Sequence, residues 1–135
     1  MSSFETDYFQ KFKFTQNQIQ RYFQNALRDL EIARKDVFSE VRFTYGYQAL
    51  IKAGIALIAK TGGVRIKSMP GHHVKILEKM SEILQDTDVL TIGDAMRVKR
   101  NNDFYGGGES VTEKEADDYF KFVEKILKSI EKKIQ

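Results

Sequence analysis

The stretch Gly46-Tyr-Gln-Ala-Leu-Ile-Lys-Ala-Gly-Ile-Ala-Leu-Ile-Ala-Lys-Thr-Gly-Gly63 decides the architecture. After Gly46 it is apolar around much of a helical circumference, and only Lys52 interrupts the run from Ala49 to Ala59. About eleven residues cannot cross a bilayer, which takes roughly twenty. A helix buried on several sides instead belongs at the centre of a bundle. Gly46, Ala49, Ala53, Gly54 and Ala56 would let neighbouring helices approach closely. Gly62 and Gly63 end the helix, and its start is expected between Asp36 and Ser39.

On the N-terminal side, Thr15 and Gln18 form a capping-box pattern, with Phe14 and Ile19 as the hydrophobic staple. Ile19, Tyr22, Phe23, Ala26, Leu27, Leu30 and Ala33 then follow one helical face. The segment 1–13 reads as an N-terminal arm whose aromatics, Phe4, Tyr8, Phe9 and Phe12, are expected to fold back onto the core with Phe14. It mixes Glu5, Asp7, Lys11 and Lys13 and has the apolar run of neither a signal nor a transit peptide, so a cytoplasmic protein is expected.

On the C-terminal side, Pro70 suits the first turn of a third helix carrying Ile76, Leu77, Met80, Ile83 and Leu84. A fourth, about Val89 to Asn102, has a thin apolar face and a glycine at 93. Gly106 to Gly108 read as a flexible connector. Thr112 and Glu115 then cap a last helix with acids early, lysines late and a stripe from Ala116 to Ile130. No strand alternation competes with these helices. The expectation is one all-α domain spanning 1–135, an antiparallel up-and-down bundle of four to five helices.

With no cysteine, disulfides and thiolate chemistry are excluded, and the chain is compatible with a reducing compartment. The net charge of +3 is too small to announce a nucleic-acid binder. Its distribution is uneven, however. Five cations and one acid lie between Lys60 and Lys79, whereas five acids and one lysine lie between Glu109 and Asp118.

Two stretches can carry chemistry. In Arg97-Val-Lys-Arg100-Asn101-Asn-Asp103-Phe-Tyr105, a helix places Arg97, Arg100 and Asn101 on one face. Guanidinium groups match phosphate oxygens, asparagine can read a base edge, and Tyr105 can stack on a base. The bland alternative pairs those arginines with Asp94 and Asp103. In Arg65-Ile-Lys67-Ser-Met-Pro-Gly71-His72-His73, the two histidines are the side chains suited to acid–base work near neutral pH, with Arg65 and Lys67 nearby. Adjacent histidines on a helix diverge and make poor partners for one metal ion, so neither metal nor cofactor is expected. The Walker-type phosphate loop, the dinucleotide-binding glycine pattern, the zinc-protease histidine pair and the nucleophile elbow are all absent.

The apolar second helix ending in glycine, the Pro70-Gly71-His72-His73 start of the third, and Arg97-x-x-Arg100-Asn101-x-x-x-Tyr105 before a capped last helix together resemble the HEPN superfamily. The resemblance implies a helical bundle, a homodimer, and a nucleotidyltransferase partner in a toxin–antitoxin or defence-type pair. Active HEPN members cleave RNA without a metal, using an Arg, often followed by Asn or another polar residue, then four to six residues and a His. Arg100 and Asn101 match that opening, but the histidine position five residues on is Tyr105. A tyrosine with pKa about 10 is ionised about one part in a thousand at pH 7, a poor base. Arg65 and His72 fit the literal spacing outside the fourth helix.

Three readings follow. The first is a HEPN-like nucleotide- or RNA-binding accessory protein using Arg97, Arg100, Asn101 and Tyr105. The second is an endoribonuclease using Arg100 or Arg65 with His72 or His73. The third is a non-catalytic helical interaction module.

Overall fold

The structure is a computed structural model describing residues 4–105 and 111–135, with the side chains of residues 103–105 outside that description. The glycine connector expected at 106–108 also lies outside the described residues. Elsewhere the chain folds as an all-α bundle of α1 (Gln16–Lys35), α2 (Ser39–Gly62), α3 (His72–Leu84), α4 (Thr87–Tyr105) and α5 (Glu113–Ile134).

The ends of α1 and α5 follow from local chemistry. Thr15 accepts a hydrogen bond from the Gln18 amide while the Gln18 side chain accepts one from the Thr15 amide, and Thr112 and Glu115 repeat the exchange. α2 ends at Gly63, whose φ of 60° is the left-handed conformation glycine adopts without steric cost. α3 starts after Gly71, at φ 82°, so Pro70 lies just outside the helix rather than in its first turn.

α2 is the hub. Tyr47, Leu50, Leu57 and Ile58 are fully buried, and α2 packs against each of the other four helices. Gly54 is where α3 comes closest, because an added Cβ would strike Met80 Sδ and stand 2.8 Å from Ile76. Gly93, the apparent weakness of α4, has the same explanation: a Cβ there would lie 2.6 Å from Leu77. Gly46 does not, since a Cβ at that position would meet nothing within 4 Å.

One element differs from the all-helical expectation. Residues Phe9–Lys11 (β1) and Val64–Ile66 (β2) pair antiparallel, Gln10 opposite Arg65. Six residues are too short to show alternation in sequence. Phe9 beneath the sheet is 3% exposed, and Phe4, Tyr8 and Phe14 pack against the same core, so these four aromatics do fold back, whereas Phe12, expected to join them, stays 37% exposed.

The sheet also redirects the chain. Lys60 at the end of α2 donates to Gln16 at the start of α1, which places these helices antiparallel. β2 and the loop after it then run back along the bundle, and α3 begins beside Tyr47 near the start of α2. α4 returns antiparallel to α3. The start of α3 and the end of α4 therefore meet over the first turns of α2.

Tertiary packing also buries charge. Asp29 of α1 is fully buried with its carboxylate 2.7 Å from Lys52 Nζ, which accounts for the lysine inside the apolar run of α2. Lys79 is nearly as buried and lies 2.9 Å from Glu5. No helix among the described residues is long and apolar enough to cross a membrane.

Candidate functional site

The two stretches singled out in the sequence converge on one cleft of about 470 Å³. Ser68 to Val74, including both histidines, form one wall; Arg97, Arg100 and Asn101 form the other. The loop after β2 and the left-handed Gly71 aim the first wall, and the i, i+3, i+4 spacing of α4 aims the second.

Arg97 and Arg100 play unequal parts. Arg97 donates through Nε to Asp94 at 2.7 Å, so the pairing foreseen as the bland alternative does occur. That bond leaves the terminal amino groups of the guanidinium for a ligand. Arg100 has no carboxylate partner among the described residues, and its Cζ stands 5.7 Å from the centre of the Tyr47 ring. A cation without a counter-ion beside a buried aromatic is a ready receptor for an anion.

The histidines occupy different environments. His72 Nδ1 lies 2.7 Å from the Met69 carbonyl oxygen. A carbonyl can only accept, so Nδ1 carries the proton, and in the neutral ring Nε2 keeps its lone pair. His73 Nδ1 lies 2.8 Å from the Tyr47 hydroxyl. Burial, then the neighbouring His72, Arg100 and Arg97, lower the His73 pKa to about 4. Burial pushes Tyr47 up to about 12 against the opposing pull of Arg100 and Arg97. At neutral pH both are therefore uncharged, and this pair positions the cleft wall without adding charge to it.

The two imidazole rings do not diverge as helical spacing implies. Their centres are 4.4 Å apart, edge to face, because His72 stands at the first residue of α3 with its ring held by the preceding turn. No group of three or more His, Cys, Asp or Glu among the described residues is placed to hold a metal ion.

Two other candidates stand differently. Arg65 does not line the cleft; it lies on β2 with its guanidinium on Gln10 and over the Phe12 ring. The side chain of Tyr105, at the last residue of α4, lies outside the described residues. Conversely, the sequence reading passed over Tyr47. The available signal was a tyrosine just ahead of the apolar run, on a helix expected to be buried on several sides, since a buried hydroxyl needs a partner.

A smaller cavity of about 260 Å³, lined by Gln48, Ile51, Lys52 and Ile55, shares Tyr47, His73 and Arg100 with this region. No protein-family model matches the chain, and no curated protein or solved structure matches it significantly.

Proposed function

We propose that the chain is a HEPN-like protein whose cleft between α3 and α4 binds the phosphate of a nucleotide or RNA. The observation that supports this reading is the convergence of Arg97, Arg100 and Asn101 with the amide-rich start of α3 on one concave surface. Arg100 supplies a charge with no carboxylate partner among the described residues, Arg97 adds a second fork of donors, and Asn101 offers a donor and an acceptor for a sugar or base edge. The homodimer, the nucleotidyltransferase partner, the toxin–antitoxin setting and the cytoplasmic location rest on the resemblance alone.

The test is binding of ATP and of a short RNA to an Arg97→Ala, Arg100→Ala double variant. A loss of about a hundredfold or more is expected, since each of the two charge-assisted contacts contributes about 1.5–3 kcal/mol. Unchanged affinity in a folded variant sinks the reading.

A second reading, metal-independent RNA cleavage, is favoured by the state of His72. Its free Nε2 can take the proton of a ribose 2′-hydroxyl while that oxygen attacks phosphorus. The bond from phosphorus to the 5′-oxygen then breaks, and the departing oxygen receives a proton from water. Arg100 and Arg97 hold the charge that builds on the phosphoryl oxygens. Incubating an RNA pool with the protein in EDTA decides between the readings. Cleavage lost in His72→Ala and Arg100→Ala promotes the nuclease, and RNA that is bound but intact leaves recognition alone.

A further inference from the structure

We propose that single-stranded nucleic acid is held by a second surface, an aromatic and cationic platform at the far end of the bundle, and runs from it along β2 into the cleft. The reading of the cleft as a phosphate site supports only the far end of this track. The platform stands on separate observations.

Residues 8–28 contain Lys11, Lys13, Arg21 and Arg28 and no acid; residues 60–77 contain Lys60, Arg65, Lys67 and Lys75 and no acid. The pairing of β1 with β2 and the Lys60–Gln16 hydrogen bond bring these two segments together. Lys75 is neutralised by Glu5 and Glu78, and Asp7 is the nearest exposed acid in sequence. Among the described residues, Lys11, Lys13, Arg21, Lys60, Arg65 and Lys67 have no carboxylate within ion-pair distance.

Aromatic rings stand within this field. Phe12 and Tyr22 are 37% and 40% exposed, and Phe14 links them with ring centres 4.6 and 5.9 Å away. The Arg65 guanidinium lies 4.9 Å from the centre of the Phe12 ring. Exposed rings interleaved with unpaired cations are how proteins hold single strands, since every base offers a face to stack and every phosphate a charge to neutralise. An apolar protein partner would leave those cations uncompensated, whereas a polyanion satisfies both features.

The platform and the cleft are joined by the chain itself. Arg65 lies beside Phe12, Lys67 follows at the end of β2, and Ser68 and Met69 already line the cleft. From Lys60 to Tyr47, α2 spans about 20 Å. A strand of about 12 nucleotides is long enough to engage both sites, within the range that single-strand grooves occupy.

The experiment is fluorescence anisotropy with a 12-nucleotide RNA, a dinucleotide and a duplex. Wild type is compared with Phe12→Ala/Tyr22→Ala, with Arg65→Gln/Lys13→Gln, and with the Arg97→Ala, Arg100→Ala double variant. The ring variant is expected to weaken 12-mer binding roughly tenfold per ring and leave the dinucleotide unchanged. The charge variant should flatten the salt dependence by about 0.7 in log–log slope per cation removed.

Twelve-mer binding equal to wild type in both platform variants overturns the proposal, whatever the cleft variant does. Duplex binding as tight as that of the single strand, or displacement by polyglutamate as effective as by RNA, also overturns it. A 12-mer sensitive to the platform variants but not to the cleft variant leaves the platform standing and removes the phosphate reading of the cleft.

Discussion

The trio of α1, α2 and α5 and the pair of α3 and α4 are built by different means. The trio has two reciprocal capping boxes and continuous apolar stripes. The pair starts after a left-handed glycine, turns at Gln85 with φ 53°, and packs through Gly54 and Gly93 where an ordinary side chain would collide. Two box-capped helices packed on the buried α2, which itself starts at Phe38 without a side-chain cap, make a regular frame. The irregular pair leaves backbone groups, two histidines and two arginines turned toward one cleft. On the proposed reading of the cleft, the first region serves as frame and the second as site.

The largest effect that tests this division is Phe23→Ala, which removes a ring that is 1% exposed between α1 and its neighbours. A loss of about 3–5 kcal/mol is expected by chemical denaturation. Ligand affinity of the remaining folded protein should be unchanged. A loss of affinity as well would break the separation of frame from site.

Next is the response of the pair to acid. His73 titrates at about 4 in the native protein, against about 6.5 unfolded, so between those values the unfolded chain binds a proton that the native chain excludes. The stabilisation is fully present above pH 6.5 and is lost as the pH falls through 4. Because the ring is only partly shielded, the effect is about 1–2 kcal/mol rather than the full value of the shift. His73→Gln should flatten Tm against pH in that window, and an unaltered profile would place the acid sensitivity elsewhere.

The smallest effect concerns Gly93→Ala. Helix propensity favours the alanine by about 1 kcal/mol. The new Cβ would press on Leu77, with Leu50 behind it, where overpacking costs about 1–3 kcal/mol. A net loss of about 1 kcal/mol is expected in thermal melts. A gain would show that Leu77 can move aside and that the close approach of α3 and α4 does not depend on Gly93.

The N-terminal segment shows where sequence pattern reaches its limit. Its aromatics were legible as core-seeking, and Phe9 is buried as composition implies. The three-residue strand that holds it there was not, because its partner lies more than fifty residues away and neither strand is long enough to alternate. Asp29 is a parallel case. It occupies a helical position that periodicity assigns to the core, yet nothing local identifies Lys52 as its partner.

By itself the sequence determined the helical bundle, the capping boxes of α1 and α5, the central place of α2 and the shared face of Arg97, Arg100 and Asn101, because each follows from residues within a few turns of one another. Only the tertiary structure decided that His72 and His73 stand opposite those arginines, that Tyr47 anchors His73, and that Arg65 turns away toward Phe12. Those outcomes depend on the return of the chain through β2 and its pairing with β1. The physical reason is that helix pattern and capping act over three or four residues, whereas a cleft is made by side chains whose distances are set by how whole helices pack.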